Sequence, residues 1–199
     1  MTDWLERWRE GHIGFHEGVP NAWLAEHVGV LGGGGRVLVP LCGKSIDLAF
    51  LAAHGFSVVG VELSPIAAEA FFVETGLVPT RTGNRLAAHG IEIVVGDFFA
   101  FEAEPFDAVY DRAACIALPH DVRTRYARKV DALTKPDAPR LLVSFEHDGD
   151  PSEPPYSVDE AEVARLWPSL ERTVLGEASA DRVTKRGATW SRHRAYLLR

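Results

Sequence analysis

From Arg36 onward, runs of consecutive apolar residues alternate with stretches in which apolar positions recur every three to four residues. The runs, near 36–41, 57–62, 91–95, 107–111 and 140–146, are short and continuous, as strands buried on both faces are. The helical period falls between them, near 44–54, 65–75, 121–134 and 159–167. Strand and helix in alternation predict an α/β fold: a mostly parallel sheet with helices on both faces. Two last strand-like stretches, near 170–178 and 190–198, have no helix between them and should pair antiparallel. Ahead of this core lie two short helical patterns, Trp4 to Arg9 and Asn21 to Leu31, separated by GHIGFHEGVP and closed by Gly32 to Gly35. Residues 1–35 are therefore expected to form a helical cap or lid on a Rossmann-like core over 36–199, the whole a single domain. The GGGG stretch reads as a flexible link into the first strand, because no helix begins directly after it.

The first strand–helix–strand unit carries the chemistry. Gly43 sits in the tight turn after the first strand, and Glu62 ends the second, where a carboxylate can accept the hydroxyls of a ribose. Pro40, Leu41 and Cys42 stand where a dinucleotide turn would have glycines, so a pyrophosphate is not expected. Lys44 follows a glycine, but position 38 is Leu rather than the upstream glycine of a phosphate loop. A ligand with a ribose and no phosphates fits, and S-adenosyl-L-methionine is the common one. Ligands of open α/β sheets lie beyond the carboxyl ends of the strands, here Leu41 to Lys44, Glu62 to Ser64 (with Leu63 between them), Gly96 to Phe98 and Asp111 to Ala114. Glu62 could instead help the helix begun by Ser64 and Pro65. Asp97 could accept from an adenine amino group with Phe98 over the ring, or the pair could be a capping residue beside a core aromatic. Arg112 could equally be an ion-pair partner of Asp111 or Asp107. Asp47, in the first turn of the next helix, favours its dipole and could orient the turn from behind. Trp4 and Trp8 share a helix face, and an indole suits a sulfonium.

Several strings in order along the chain, WLERW, IGFH, VPLCGKSIDLAFLAAHGFSVVGVELS, GDFF, FDAVYDRAA and PPYSV, resemble the bacterial form of the thiopurine S-methyltransferase family, from about Trp4 to about Trp190. The resemblance implies a class I methyltransferase with a seven-stranded sheet ending in an antiparallel hairpin. It implies S-adenosyl-L-methionine held by Trp8, Leu41 through its backbone carbonyl, Gly43, Glu62, Leu63, Asp97, Phe98 and Arg112. Phe15 would lie against a flat acceptor, and Arg112 and Arg186 would be catalytic by stabilising its thiolate, with Arg186 also binding substrate; Arg182 and Lys185 are close alternatives. The implied reaction is S-methylation of a small aromatic or heterocyclic thiol, with inorganic selenium or tellurium species as further acceptors. A halide or thiocyanate methyltransferase, and a cofactor-binding module without catalysis, are the competing readings. Two departures from the family pattern, Glu153 before the two prolines and a short segment from Thr80 to Gly90, should border the acceptor pocket and bear on its identity.

Composition narrows the partners. The formal charge is −7, with 21 Lys and Arg against 28 Asp and Glu, which disfavours nucleic acid. At 199 residues the chain can bury roughly 70% of its unfolded surface in one core. The opening MTDWLERWREG alternates in charge unlike a signal peptide, and no apolar run reaches the roughly 18 residues of a membrane span. Cys42 and Cys115 are isolated, consistent with a reducing cytoplasm and a monomeric, metal-free enzyme; His12 and His16 lie among glycines that oppose a helical metal site.

Overall fold

The structure, a computed structural model, describes residues 3–12, 17–180 and 185–199. Among these residues the strands are β1 (Gly35–Pro40), β2 (Phe56–Glu62), β3 (Thr80–Thr82), β4 (Arg85–Ala88), β5 (Ile91–Val95), β6 (Ala108–Arg112), β7 (Arg140–His147), β8 (Arg172–Ser179) and β9 (Ser191–Leu198). They form one sheet of nine in the order β3-β4-β5-β2-β1-β6-β7-β9-β8. The five central strands, β5-β2-β1-β6-β7, are parallel. From β1 the chain works outward through β2 to β5, then returns to β6 on the other side of β1. This reversal opens a crevice at the carboxyl ends of β1 and β6, where such sheets bind ligands.

The helices are α1 (Trp4–Arg9), α2 (Ala22–His27), α3 (Asp47–Ala53), α4 (Pro65–Thr75), α5 (His120–Leu133) and α6 (Glu160–Leu166). On one face of the sheet α2, α3 and α4 bury Leu24, Leu48, Leu51, Phe71 and Phe72 against Val37, Val39, Tyr110 and Val143. On the other, α5 and α6 bury Tyr126, Val130, Val163 and Leu166 against Leu38, Val109, Leu142 and Tyr196. Every position of β7 is buried, as expected of a strand covered on both sides. Local signals fix the helix ends. Ser64 Oγ accepts from Ala67 N (3.4 Å), Pro65 opens α4, and Gly76 ends it at φ 71°.

Two differences from the sequence reading have physical causes. The sheet has nine strands because Thr80 to Ala88 folds into an edge hairpin, β3–β4, on the far side of β5. Its residues are mostly polar, with Leu86 alone in the core, so no apolar run announced it. Helix α3 starts at Asp47 rather than 44 because Gly43, at φ 55°, and the Ser45 N to Cys42 O bond (3.2 Å) spend those residues on a turn. The C-terminal hairpin, β8 antiparallel to β9, forms as expected. No helix among the described residues is long and apolar enough to cross a membrane.

Candidate functional site

At the end of β2 the Glu62 carboxylate is buried, 6% exposed, and both its oxygens are in use. Oε2 accepts from Gly43 N at 2.8 Å and Oε1 from Ser64 N at 2.7 Å. The residue thus ties the β1 turn to the entry of α4: the bond from Ser64 N is the helix-start role weighed from the sequence, the bond from Gly43 N was not foreseen, and each oxygen keeps a lone pair for a further donor. Burial raises its pKa, against the lowering effect of the backbone donors at Ser64, Gly43 and Leu63. Across the same turn lies Trp8 of α1, 7% exposed. A side chain at Gly43 would meet the Trp8 ring at 3.2 Å, so only glycine lets indole and turn come this close. Trp8, Gly43 and Glu62, some distant in sequence, are brought together.

Backbone strain marks the two strand ends that flank the crevice. Leu41, just past β1, has φ 48°, and Ala113, just past β6, has φ 66°, both in the left-handed region that costs a residue with a Cβ roughly 1–2 kcal/mol. Such outliers cluster where backbone is aimed at a ligand.

Beside Ala113, Arg112 contacts neither Asp111 nor Asp107 as first considered. Its Nη2 lies 2.8 Å from Glu17 Oε2 and its Nη1 4.0 Å from Asp47 Oδ2. Asp47 is fully buried; Oδ1 accepts from Asn21 N (2.8 Å) and Oδ2 from Tyr110 Oη (2.9 Å). Burial and the Asp47 charge raise the Tyr110 pKa, so the phenol remains a donor. Asp47 therefore joins the cap, α3 and β6 at one point. Asp111 turns to the other face, where Oδ2 accepts from Tyr126 Oη (2.6 Å) and Oδ1 from Cys115 N (3.2 Å); burial pushes its pKa up to about 6. Alternation along β6 separates the two neighbours.

The end of β5 is more structural. Asp97 Oδ1 accepts from Phe99 N (2.9 Å), and Phe98 is buried with its ring 5.4 Å from that of Tyr126. Leu63 is 44% exposed at the crevice. The tip of the β3–β4 hairpin reaches this end of the sheet, where Asn84 Nδ2 donates to Val95 O (2.9 Å). Lys44 pairs with Glu74 (2.6 Å). Burial raises the pKa of both Cys42 and Cys115, which leaves them protonated and poor nucleophiles.

The loop after β7 frames the other side. His147 Nε2 donates to Pro155 O (2.9 Å) while its Nδ1 accepts from Gly149 N (3.0 Å). Lys185 Nζ donates to Glu153 O, and Arg7 of α1 reaches Glu153 Oε2 (3.4 Å), so the departure at Glu153 links loop to cap. Arg186 is exposed, and its carbonyl accepts from Asp150 N (3.0 Å). Phe15, expected against the acceptor, and Arg182 lie outside the described residues. Glu17, Asn21, Tyr110 and Tyr126 were not anticipated. For the tyrosines the signal was present: a polar aromatic inside an apolar strand or helix face needs a partner, and the nearby aspartates supply it.

Topology, strained strand ends and a buried acidic residue at the end of β2 define a class I S-adenosyl-L-methionine-dependent methyltransferase. Solved structures carry the same fold: the 1,6-didemethyltoxoflavin-N1-methyltransferase of Burkholderia thailandensis aligns over 98% of this chain and 85% of its own, with TM-score 0.69 and 19% identity. TehB of Haemophilus influenzae aligns over 92% and 63%, with TM-score 0.68 and 14% identity. The model of the family described as thiopurine S-methyltransferase (TPMT) matches residues 1–199, and the chain belongs to that family. Among its relatives are a thiopurine S-methyltransferase of Xanthobacter autotrophicus, 47% identical over 82% of each chain, and one of Pseudomonas paraeruginosa, 41% identical over 98% of this chain and 96% of that one.

Proposed function

We propose that the protein transfers a methyl group from S-adenosyl-L-methionine to the sulfur of a small aromatic or heterocyclic thiol. The observation that carries this reading is the convergence of Trp8, Gly43 and Glu62 at the β1 turn, with Arg112 held beside the same crevice. The residues fit the cofactor: Glu62 retains a lone pair on each oxygen for ribose hydroxyls, the indole of Trp8 offers a negative ring face to a sulfonium, and Leu41 and Ala113 hold backbone in a ligand-directed conformation. Leu63, Asp97 and Phe98 belong to the adenine side. When bound, the cofactor supplies an electrophilic methyl carbon.

The chain's own part is positioning and electrostatics. A guanidinium cannot act as a base near neutral pH, but it stabilises a thiolate and lowers the pKa of a nearby thiol. Arg112 has that role, held at the site by Asp47 and Glu17. By the family resemblance Arg186 is assigned as a second cation for the acceptor and Phe15 as the aromatic residue that binds it. Sulfonium and thiolate lose charge as the methyl passes, so a cap that excludes water favours the transition state over the separated ions. Holding the thiol in line supplies much of the remaining rate.

The test is methyl transfer to a thiopurine, followed by chromatography of the S-methyl product, with wild type, Arg112→Met and Arg186→Met. Both variants should lose rate, and for Arg186→Met the acidic limb of the pH profile should move upward with cofactor affinity kept. A wild-type enzyme that binds the cofactor and methylates no thiol would remove the reading. An Arg186→Met profile identical to wild type would remove Arg186 from it.

A further inference from the structure

Two carboxylates of different freedom meet Arg112. The Asp47 side chain is 1% exposed, lies 4.0 Å from Nη1, and is fixed by Asn21 N (2.8 Å) and Tyr110 Oη (2.9 Å). The Glu17 side chain is 51% exposed and reaches Nη2 at 2.8 Å. Glu17 stands in irregular chain ahead of α2, four residues before Asn21, and a side chain at the neighbouring Gly18 would meet open space. Asp47 therefore holds the guanidinium from inside the fold, and Glu17 covers it from the solvent side.

The nearby titratable groups do not offset these charges. His193, opposite Phe145 in the β7–β9 register, lies on the Val143 and Arg112 side of the sheet. Burial lowers its pKa, against the raising effects of the Ser144 backbone and Glu17, with Arg112 adding to the fall, so the imidazole is neutral near neutral pH. Tyr110, raised by burial and by Asp47, is a neutral phenol. Arg112 thus faces two carboxylates with one positive charge. A guanidinium has five N–H donors, so a single thiolate sulfur shares it with Glu17. A carboxylate, sulfonate or phosphate on the acceptor seeks the paired fork that Glu17 partly fills, and it approaches against net negative charge. The charge of the reacting sulfur differs again, because it lies against the sulfonium and is lost as the methyl passes.

We propose that Glu17 is a specificity-determining residue: a tethered carboxylate that keeps Arg112 occupied against acidic acceptors and so selects thiols whose only negative charge is the reacting sulfur. The proposal rests on the thiol-methylation reading and adds to it the charge class of the substrate. Discrimination then comes from a repulsive element built against the wrong ligand. The matched probes are 4-nitrothiophenol and 5-thio-2-nitrobenzoate, aromatic thiols that differ by one ring carboxylate and whose coloured thiolates bleach on S-methylation. With the full chain and saturating S-adenosyl-L-methionine, wild type should show a kcat/KM for the first roughly tenfold or more above that for the second. Glu17→Gln keeps the size of the side chain and removes its charge. It should raise kcat/KM for the carboxylate thiol, chiefly through KM, and narrow the ratio by about fivefold or more. Both substrates meet the same enzyme, so any loss of folded or cofactor-loaded protein cancels from the ratio. Added salt should narrow the wild-type ratio and move that of the variant less. A wild-type ratio near one, or a Glu17→Gln ratio within about twofold of wild type, overturns the proposal while methyl transfer itself stands. Wild type that binds the cofactor and methylates neither thiol removes the thiol-methylation reading, and this proposal with it.

Discussion

Replacing Glu62 separates its two duties. Alanine leaves Gly43 N and Ser64 N buried without an acceptor, and each such orphan costs about 1–3 kcal/mol, so Glu62→Ala should lose roughly 2–6 kcal/mol of stability before any relaxation. Glutamine keeps one carbonyl oxygen and turns an NH2 toward the other donor, so Glu62→Gln should lose about half as much. Alanine also loses both acceptors for the ribose, and glutamine loses one of them together with the negative charge. Two bonds to a charged acceptor are worth roughly 1.5–3 kcal/mol each, so affinity for S-adenosylhomocysteine should fall well over tenfold in the variant that remains folded. Denaturant unfolding without ligand measures the first effect, and calorimetry at a temperature where Glu62→Gln is native measures the second. A Glu62→Gln protein binding within twofold of wild type would refute the ribose assignment. A Glu62→Ala protein as stable as wild type would refute the structural one.

Asp111 should impose a pH dependence: its folded pKa of about 6 lies above the ordinary 3.8, so its contribution to stability is fully present below pH 3.8 and is lost as pH rises through 6. A difference of 6 − 3.8, about 2 units, is on the order of 3 kcal/mol; unfolding curves of wild type and Asp111→Asn should therefore diverge in favour of the variant between about pH 4 and 7, and parallel curves would contradict it. Asp47→Asn preserves a partner for both Asn21 N and Tyr110 Oη while removing the charge facing Arg112, so methyl-transfer rate should drop with little change in melting temperature, whereas Asp47→Ala should lose both. The Arg7–Glu153 pair is 29% and 48% exposed, so Glu153→Ala should alter stability by less than about 1 kcal/mol, as measured by denaturant midpoint.

The parallel core was legible because its strands are continuous apolar runs, and the crevice because Gly43 and Glu62 fall at strand ends. What escaped the sequence has a common cause. The β3–β4 hairpin buries one leucine and therefore leaves no hydrophobic period to detect. Arg112 meets Glu17 and Asp47 among the described residues, both remote along the chain, while the adjacent Asp111 points through the sheet. Local spacing reveals which face a side chain takes, but not which segment folds back to meet it. Glu62 shows the reverse limit: its position offered a ligand contact or a helix-start role, and the structure adds to the bond from Ser64 a second one from Gly43, which depends on a turn geometry that only the folded backbone displays.

The hairpin also decides what the sheet presents to other chains. One rim is β3, three exposed residues long, with Arg81 held to Glu69 at 2.5 Å. The opposite rim is β8, broken by a bulge between Val174 and Gly176 and carrying Arg172, Thr173 and Glu177. Short, charged or kinked rims make poor templates for an incoming strand. Without the hairpin, β5 would stand at the border with Ile91, Ile93 and Val94 behind a full ladder of unpaired backbone, the kind of surface that seeds aggregation. A segment with almost no core of its own thus keeps a strongly apolar sheet from growing past its last strand.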